Sequence, residues 1–162
     1  MQDSVNTHID ASPTAVLERL TDVAMLPEWN RAITEVLQLP AELGPGSVWK
    51  VRLHALGRSW VSTSTLVELD ETRGRFRHRS QSDDGNPSYA DWEWIVQPDG
   101  IGATVTVSVA LHPMTFWRKY LLVHLRRPAL RKEMQASLIA LSTTASATAA
   151  RPSAPDGPTE GD

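Results

Sequence analysis

Residues 115–142 read TFWRKYLLVHLRRPALRKEMQASLIALS. Within them Phe116, Tyr120, Val123, Leu130, Met134, Leu138 and Leu141 recur at steps of three, four or seven, with Arg127 the one polar interruption. That spacing puts them on one helical stripe and predicts a long helix from Thr115 to Ser142. A stripe this long needs a broad apolar partner, and the segments before it alternate as strands do, so the partner is a sheet. Pro128 removes an amide donor and disfavours helical geometry at Arg127, which predicts a bend or break there.

Outward from the helix, the strand signals follow one another closely. Ala103 to Leu111 is rich in valine and threonine, and Pro98-Asp99-Gly100 before it is a hairpin turn. In Tyr89 to Val96, the residues Trp92, Trp94 and Val96 alternate with Asp91, Glu93 and Ile95. In Arg75 to Ser80 the arginines will not bury without partners, so Phe76 and His78 face inward. Ser59 to Leu69 is assigned with Val61, Thr63, Thr65, Val67 and Leu69 inward. Ser47 to Leu56 carries Trp49, Val51 and Leu53 on one face, and Ile33 to Leu39 precedes it, ended by Pro40 and Gly44-Pro45-Gly46. At the start, Val5, Thr7 and Ile9 alternate as in a strand. Ser12-Pro13 is an N-cap with proline at the first helical position, opening a short helix with Val16, Leu17 and Leu20 inward. Asp22 caps a second short helix near Pro27-Glu28-Trp29.

The order is one strand, two short helices, six strands joined mostly by tight turns, and one long helix. Successive hairpins imply antiparallel pairing. The expected fold is α+β: a curved seven-stranded antiparallel sheet around a long C-terminal helix, with a cavity in the gap between them.

Composition narrows the function. The 162 residues suit one domain, and a formal net charge of -3 argues against nucleic acid as a partner. Without cysteine, disulfides and thiolate zinc sites are excluded. No basic-then-apolar leader opens the sequence and no apolar run approaches the ~20 residues of a membrane span, so the expectation is a soluble cytoplasmic protein. From Thr143 onward the chain is Ala, Ser, Thr, Pro and Gly with a few charges. This divides it into a domain at 1–142 and a disordered polar tail at 143–162.

The opening Ile9-Asp10-Ala11-Ser12-Pro13, then Val16, Leu20, Asp22 and Pro27-Glu28-Trp29, resembles the START-like, or SRPBCC, superfamily in its polyketide cyclase/dehydrase and lipid-transport branch. Trp92-Glu93-Trp94, the turn at Pro98-Asp99-Gly100 and the valine-rich strand before the last helix agree with it. The resemblance covers about residues 3 to 142 and implies a helix-grip fold. It also implies a hydrophobic small molecule held between sheet and helix; only some members catalyse a reaction.

Six tryptophans against two phenylalanines and two tyrosines suit a core or a ligand wall equally. The candidate wall is Trp29, Trp49, Val51, Leu53, Phe76, Trp92 and Trp94. Thr63, His78, Tyr120 and His124 are the polar groups that would orient a lipid or an aromatic, polyketide-like molecule. One alternative is a cyclase or dehydratase in which His78 and His124 move protons. Another is a protein- or membrane-associated module using the basic face of the long helix, formed by Arg118, Lys119, Arg126, Arg127, Arg131 and Lys132. His8, His54, His78, His112 and His124 are scattered, and no metal-ligand spacing, phosphate loop or cofactor motif is present. No metal or cofactor is expected.

Overall fold

A computed structural model describes residues 2–55, 57–115 and 123–149; the side chains of residues 123–127, 148 and 149 lie outside the described set. The elements are β1 (Gln2–Ile9), α1 (Pro13–Thr21), a 3-10 turn (Val23–Met25), α2 (Leu26–Trp29), β2 (Ile33–Gln38), β3 (Val48–Ala55), β4 (Arg58–Asp70), β5 (Arg75–Ser82), β6 (Tyr89–Asp99), β7 (Gly102–His112) and α3 (Val123–Ala149).

The seven strands form one antiparallel sheet in the order β1-β7-β6-β5-β4-β3-β2. Strands β2 to β7 are a meander, and β1 closes onto the last of them. The chain therefore has to cross from one sheet edge to the other after β1, and α1 and α2 make that crossing. Ser12 starts α1 as its residue type dictates: its Oγ accepts from the Ala15 amide at 3.2 Å, and Pro13 takes the first helical turn, where its missing donor costs nothing. Val16, Leu17 and Leu20 face the core.

The curved sheet grips α3 in a helix-grip fold. Leu130, Met134, Leu138 and Leu141 of α3 are all buried, as the stripe requires. The helix continues through Pro128 instead of breaking at Arg127; the lost amide removes one backbone bond, and Pro128 itself is exposed. At the other end α3 runs on to Ala149, seven residues into the stretch read as a tail. Ala145 is fully buried and the Ser146 hydroxyl reaches the Asp10 carbonyl at 3.4 Å. Small side chains let the helix approach β1 closely there.

One strand face is reversed from expectation. In β4 it is Ser62, Ser64 and Leu66 that are buried, while Val67 is exposed. The tight turn at Gly57 pairs Ala55 with Arg58, which sets Trp49 opposite Ser64 and Val51 opposite Ser62. Directly opposed residues share a face, so the serines go inward with Trp49 and Val51. A bulge between Leu66 and Glu68 then shifts the parity and returns Leu69 to the core side.

Candidate ligand cavity

Sheet register sorts the inner face of β4, β5 and β6 into rows. One row is Leu69, Phe76 and Trp94; the next is Leu66, His78 and Trp92. Then come Ser64, Ser80 and Ala90, and last Ser62 and Ser82. Side-chain volume falls along this series. A helix laid over the sheet meets rings and leucines at one end and cannot reach the alanine and serines at the other. The shortfall is a cavity of about 650 Å³, within the size range of small-molecule sites.

Its sheet wall includes Leu53, Ala55, Trp60, Ser62, Ser80, Ala90, Trp92, Trp94 and Leu111; α3 supplies Leu130, Glu133, Met134 and Ser137; Asn30 and Ala32 come from the link between α2 and β2. The rim carries Arg58, Ser59, Asp84, Ser88, Tyr89 and His112. Most of this surface is apolar or aromatic, with hydroxyls set into it. Trp92 Nε1 donates to Ser80 Oγ at 3.0 Å, the Arg31 amide donates to Ser137 Oγ at 3.1 Å, and Ser62 Oγ donates to the Gln81 carbonyl at 3.1 Å. On the outer face beside the rim, Asp91 accepts from Arg79 at 2.7 and 3.2 Å and lies 3.1 Å from His112 Nε2. Tyr89 stacks on His112 with centroids 4.5 Å apart, and the Arg79 guanidinium sits 4.1 Å from the Tyr89 centroid. These contacts tie the ends of β5, β6 and β7 together at the mouth.

Residues 2–146 match the family described as polyketide cyclase / dehydrase and lipid transport. The chain belongs to this family. No curated protein matches the sequence. Among solved structures, the fold is similar to a Thermus thermophilus protein at 18% identity and TM-score 0.75, covering 93% of this chain and 100% of that one. It is similar also to the Zhui aromatase/cyclase of Streptomyces sp. R1128, at 16% identity and TM-score 0.77, covering 92% and 95%. A ginseng major latex-like protein from Panax ginseng follows at 15% identity and TM-score 0.70, covering 89% and 96%. At these identities the likeness is one of fold.

Within this polyketide cyclase / dehydrase and lipid transport domain, the residues singled out by sequence take different places. Leu53, Trp92 and Trp94 line the cavity. Trp29, Trp49, Val51 and Phe76 sit in the packed core instead, each at 3% exposure or less. Trp29 meets Trp94 edge to face at 5.5 Å, and Trp49 stacks on Phe76 at 6.3 Å. Thr63 is on the outer face, where its hydroxyl donates to Asp83, because the β3–β4 register turns Ser62 and Ser64 inward. Tyr120 lies outside the described residues. His124 belongs to the first turn of α3, with its side chain outside the described set. Sequence reasoning missed Trp60 and the serines. The Gly57 turn, counted back from Trp49 and Val51, was the signal that gives the Trp60 and Ser62 parity.

His78 is held in an aromatic box. Its ring lies 5.3 Å from Trp49, 5.3 Å from Phe76 and 6.2 Å from Trp92, the last nearly parallel. Nδ1 is buried with no hydrogen-bond partner among the described residues. Loss of hydration penalises the imidazolium and pulls the pKa down to about 4, against a weaker upward pull from Asp91. At neutral pH this histidine is uncharged. Asp91 and Glu93 take the outer face, paired with Arg79 and Arg75. Among the described residues no group of three or more His, Asp or Glu side chains is placed to hold a metal ion.

Proposed function

We propose that the protein binds a small, largely apolar molecule, a lipid or an oxygenated aromatic, in the cavity between the sheet and α3. The observation that carries this reading is the volume of about 650 Å³ left where Ala90, Ser80 and Ser62 replace bulky side chains, walled by Leu53, Trp60, Trp92, Trp94, Leu111, Leu130 and Met134. A ligand burying roughly 200 Å² of apolar surface gains about 5 kcal/mol at ~25 cal/mol per Å², before the cost of association. Affinity then comes from area, and orientation from the wall hydroxyls.

Native mass spectrometry of protein purified without detergent tests it. The expected result is a co-purified adduct, or saturable quenching of tryptophan fluorescence when an apolar aromatic compound is titrated in. A bare mass together with no quenching by any such compound overturns the reading.

Carriage is favoured over turnover by the state of His78. An imidazole with its pKa near 4 is uncharged and only weakly basic at neutral pH, and it is set back in the aromatic box. The cavity also has more support than the basic face of α3. Arg131 of that face lies 3.8 Å from Asp3.

A further inference from the structure

We propose that Ser80 and Ser137 are the specificity determinants of the cavity: a pair of hydroxyl donors, one on the sheet wall and one on the helix wall, that selects an apolar molecule carrying acceptor oxygens on two edges. This rests on the ligand-binding reading above.

The case is an accounting of protons. A serine hydroxyl has one proton to donate and two lone pairs to accept with. Ser80 Oγ accepts from Trp92 Nε1 at 3.0 Å, and Ser137 Oγ accepts from the Arg31 amide at 3.1 Å. Both oxygens are thus fixed in place by protein donors. Neither proton has an acceptor among the described residues. Ser62, in the same wall, shows the other arrangement: its proton goes to the Gln81 carbonyl at 3.1 Å. Both Ser80 and Ser137 line the cavity, and Ser137 is only 4% exposed. A hydroxyl that already accepts a hydrogen bond is polarised into a better donor, and a buried donor left unmade is costly. A pure hydrocarbon in this cavity leaves two such donors unpaired. A molecule with a carbonyl or ether oxygen toward each wall satisfies both.

Two isosteric probes test the pair: 9,10-anthraquinone, with carbonyls on opposite edges, and anthracene, with none. Binding is followed by quenching of tryptophan fluorescence. Ser80→Ala and Ser137→Ala are each expected to weaken anthraquinone roughly two- to tenfold, the range of one net hydrogen bond, and to leave anthracene within about twofold. Retained anthracene binding shows that a variant is folded. A ligand-side deletion needs no variant at all: anthrone, lacking one of the two carbonyls, should bind the unaltered protein roughly two- to tenfold more weakly than anthraquinone. Equal losses on both probes, a loss at only one serine, or anthrone binding as tightly as anthraquinone overturns the pairing while leaving the cavity reading intact. Failure of all three compounds to bind overturns the pairing, and together with a bare native mass it overturns the cavity reading as well.

Discussion

The indole of Trp92, on β6, donates through Nε1 to the hydroxyl oxygen of Ser80, on β5, at 3.0 Å. One side chain thereby does two things in the wall: its ring lies against His78 and its polar edge fixes a serine. Trp92→Phe keeps a ring and removes the donor. The expected cost is about 1 kcal/mol of folding stability, the net worth of an ordinary hydrogen bond, read as a lower urea midpoint at unchanged slope. An unaltered midpoint would show that the bond contributes nothing.

His78 makes stability depend on pH in a definite direction. Its folded pKa of about 4 lies below the ordinary 6.5, so between those values the unfolded chain binds a proton that the folded chain refuses. The contribution is fully present above pH 6.5 and is lost as pH falls toward 4. Over that window the loss amounts to about 3 kcal/mol at most. His78→Phe, which keeps an aromatic ring in the box, should flatten the stability profile between pH 6.5 and 4. A slope that persists in the variant assigns the acid sensitivity elsewhere.

His8 has the opposite sign. Nδ1 lies 3.1 Å from Asp99 and Nε2 3.1 Å from Asp10, and both nitrogens can donate only when the ring is charged. The bond to Asp99 above all, then the one to Asp10, raises its pKa above 6.5. A raised pKa gives stability that is fully present below the unfolded value and is lost as pH rises through the folded one. The site is exposed, so the energy is small, but the titration itself is measurable by proton NMR. The His8 midpoint should lie above 6.5 and drop in Asp99→Asn; an indifferent midpoint in that variant refutes the assignment.

Gly74 and Gly85 both have positive φ, 61° and 77°, yet they should respond differently to alanine. At Gly85 a new Cβ meets nothing within 4 Å, leaving only the left-handed backbone cost of about 1–2 kcal/mol. At Gly74 the Cβ would lie 2.2 Å from the Val96 carbonyl oxygen, and the Val96 amide donates to the Gly74 carbonyl at 2.8 Å. The turn must shift and strain a ladder bond with it. Gly74→Ala should therefore lower the thermal midpoint clearly more than Gly85→Ala. Equal shifts would mean the turn yields freely.

What could be read from sequence tracks how much contrast each segment carries. The described part of the stripe on α3, Leu130 to Leu141, and the Ser12-Pro13 start of α1 pair large apolar residues or turn formers with polar neighbours, and both read correctly; Phe116 and Tyr120 of the stripe lie outside the described residues. In β4, Ser-Thr-Ser-Thr alternates small β-formers with small β-formers, so local pattern holds no face information; only the register imposed at Gly57 decides it. The division of the tryptophans was illegible for a different reason. Trp49 and Trp94 are both inward and nearly buried, and what makes one core and the other wall is the missing volume at Ala90, Ser80 and Ser62, on three different strands. The end of α3 misled because Thr143 to Ala149 has the composition of a tail, while Ala145 is buried by virtue of being small.

The missing volume is itself testable. Ala90 pairs with Ser80 and Leu111 and faces the cavity. Ala90→Leu adds roughly three carbon groups pointing into open space, at ~0.8 kcal/mol of burial each, so up to about 2 kcal/mol is gained if they pack without strain. In a core already filled, the same change would cost about 1–3 kcal/mol through overpacking. The two cases differ in sign, which makes the variant decisive. With a cavity present, Ala90→Leu should raise the unfolding midpoint or leave it level, and should weaken quenching by an apolar ligand at the same time. A lowered midpoint with ligand binding intact would mean that the space lies elsewhere than between β6 and α3.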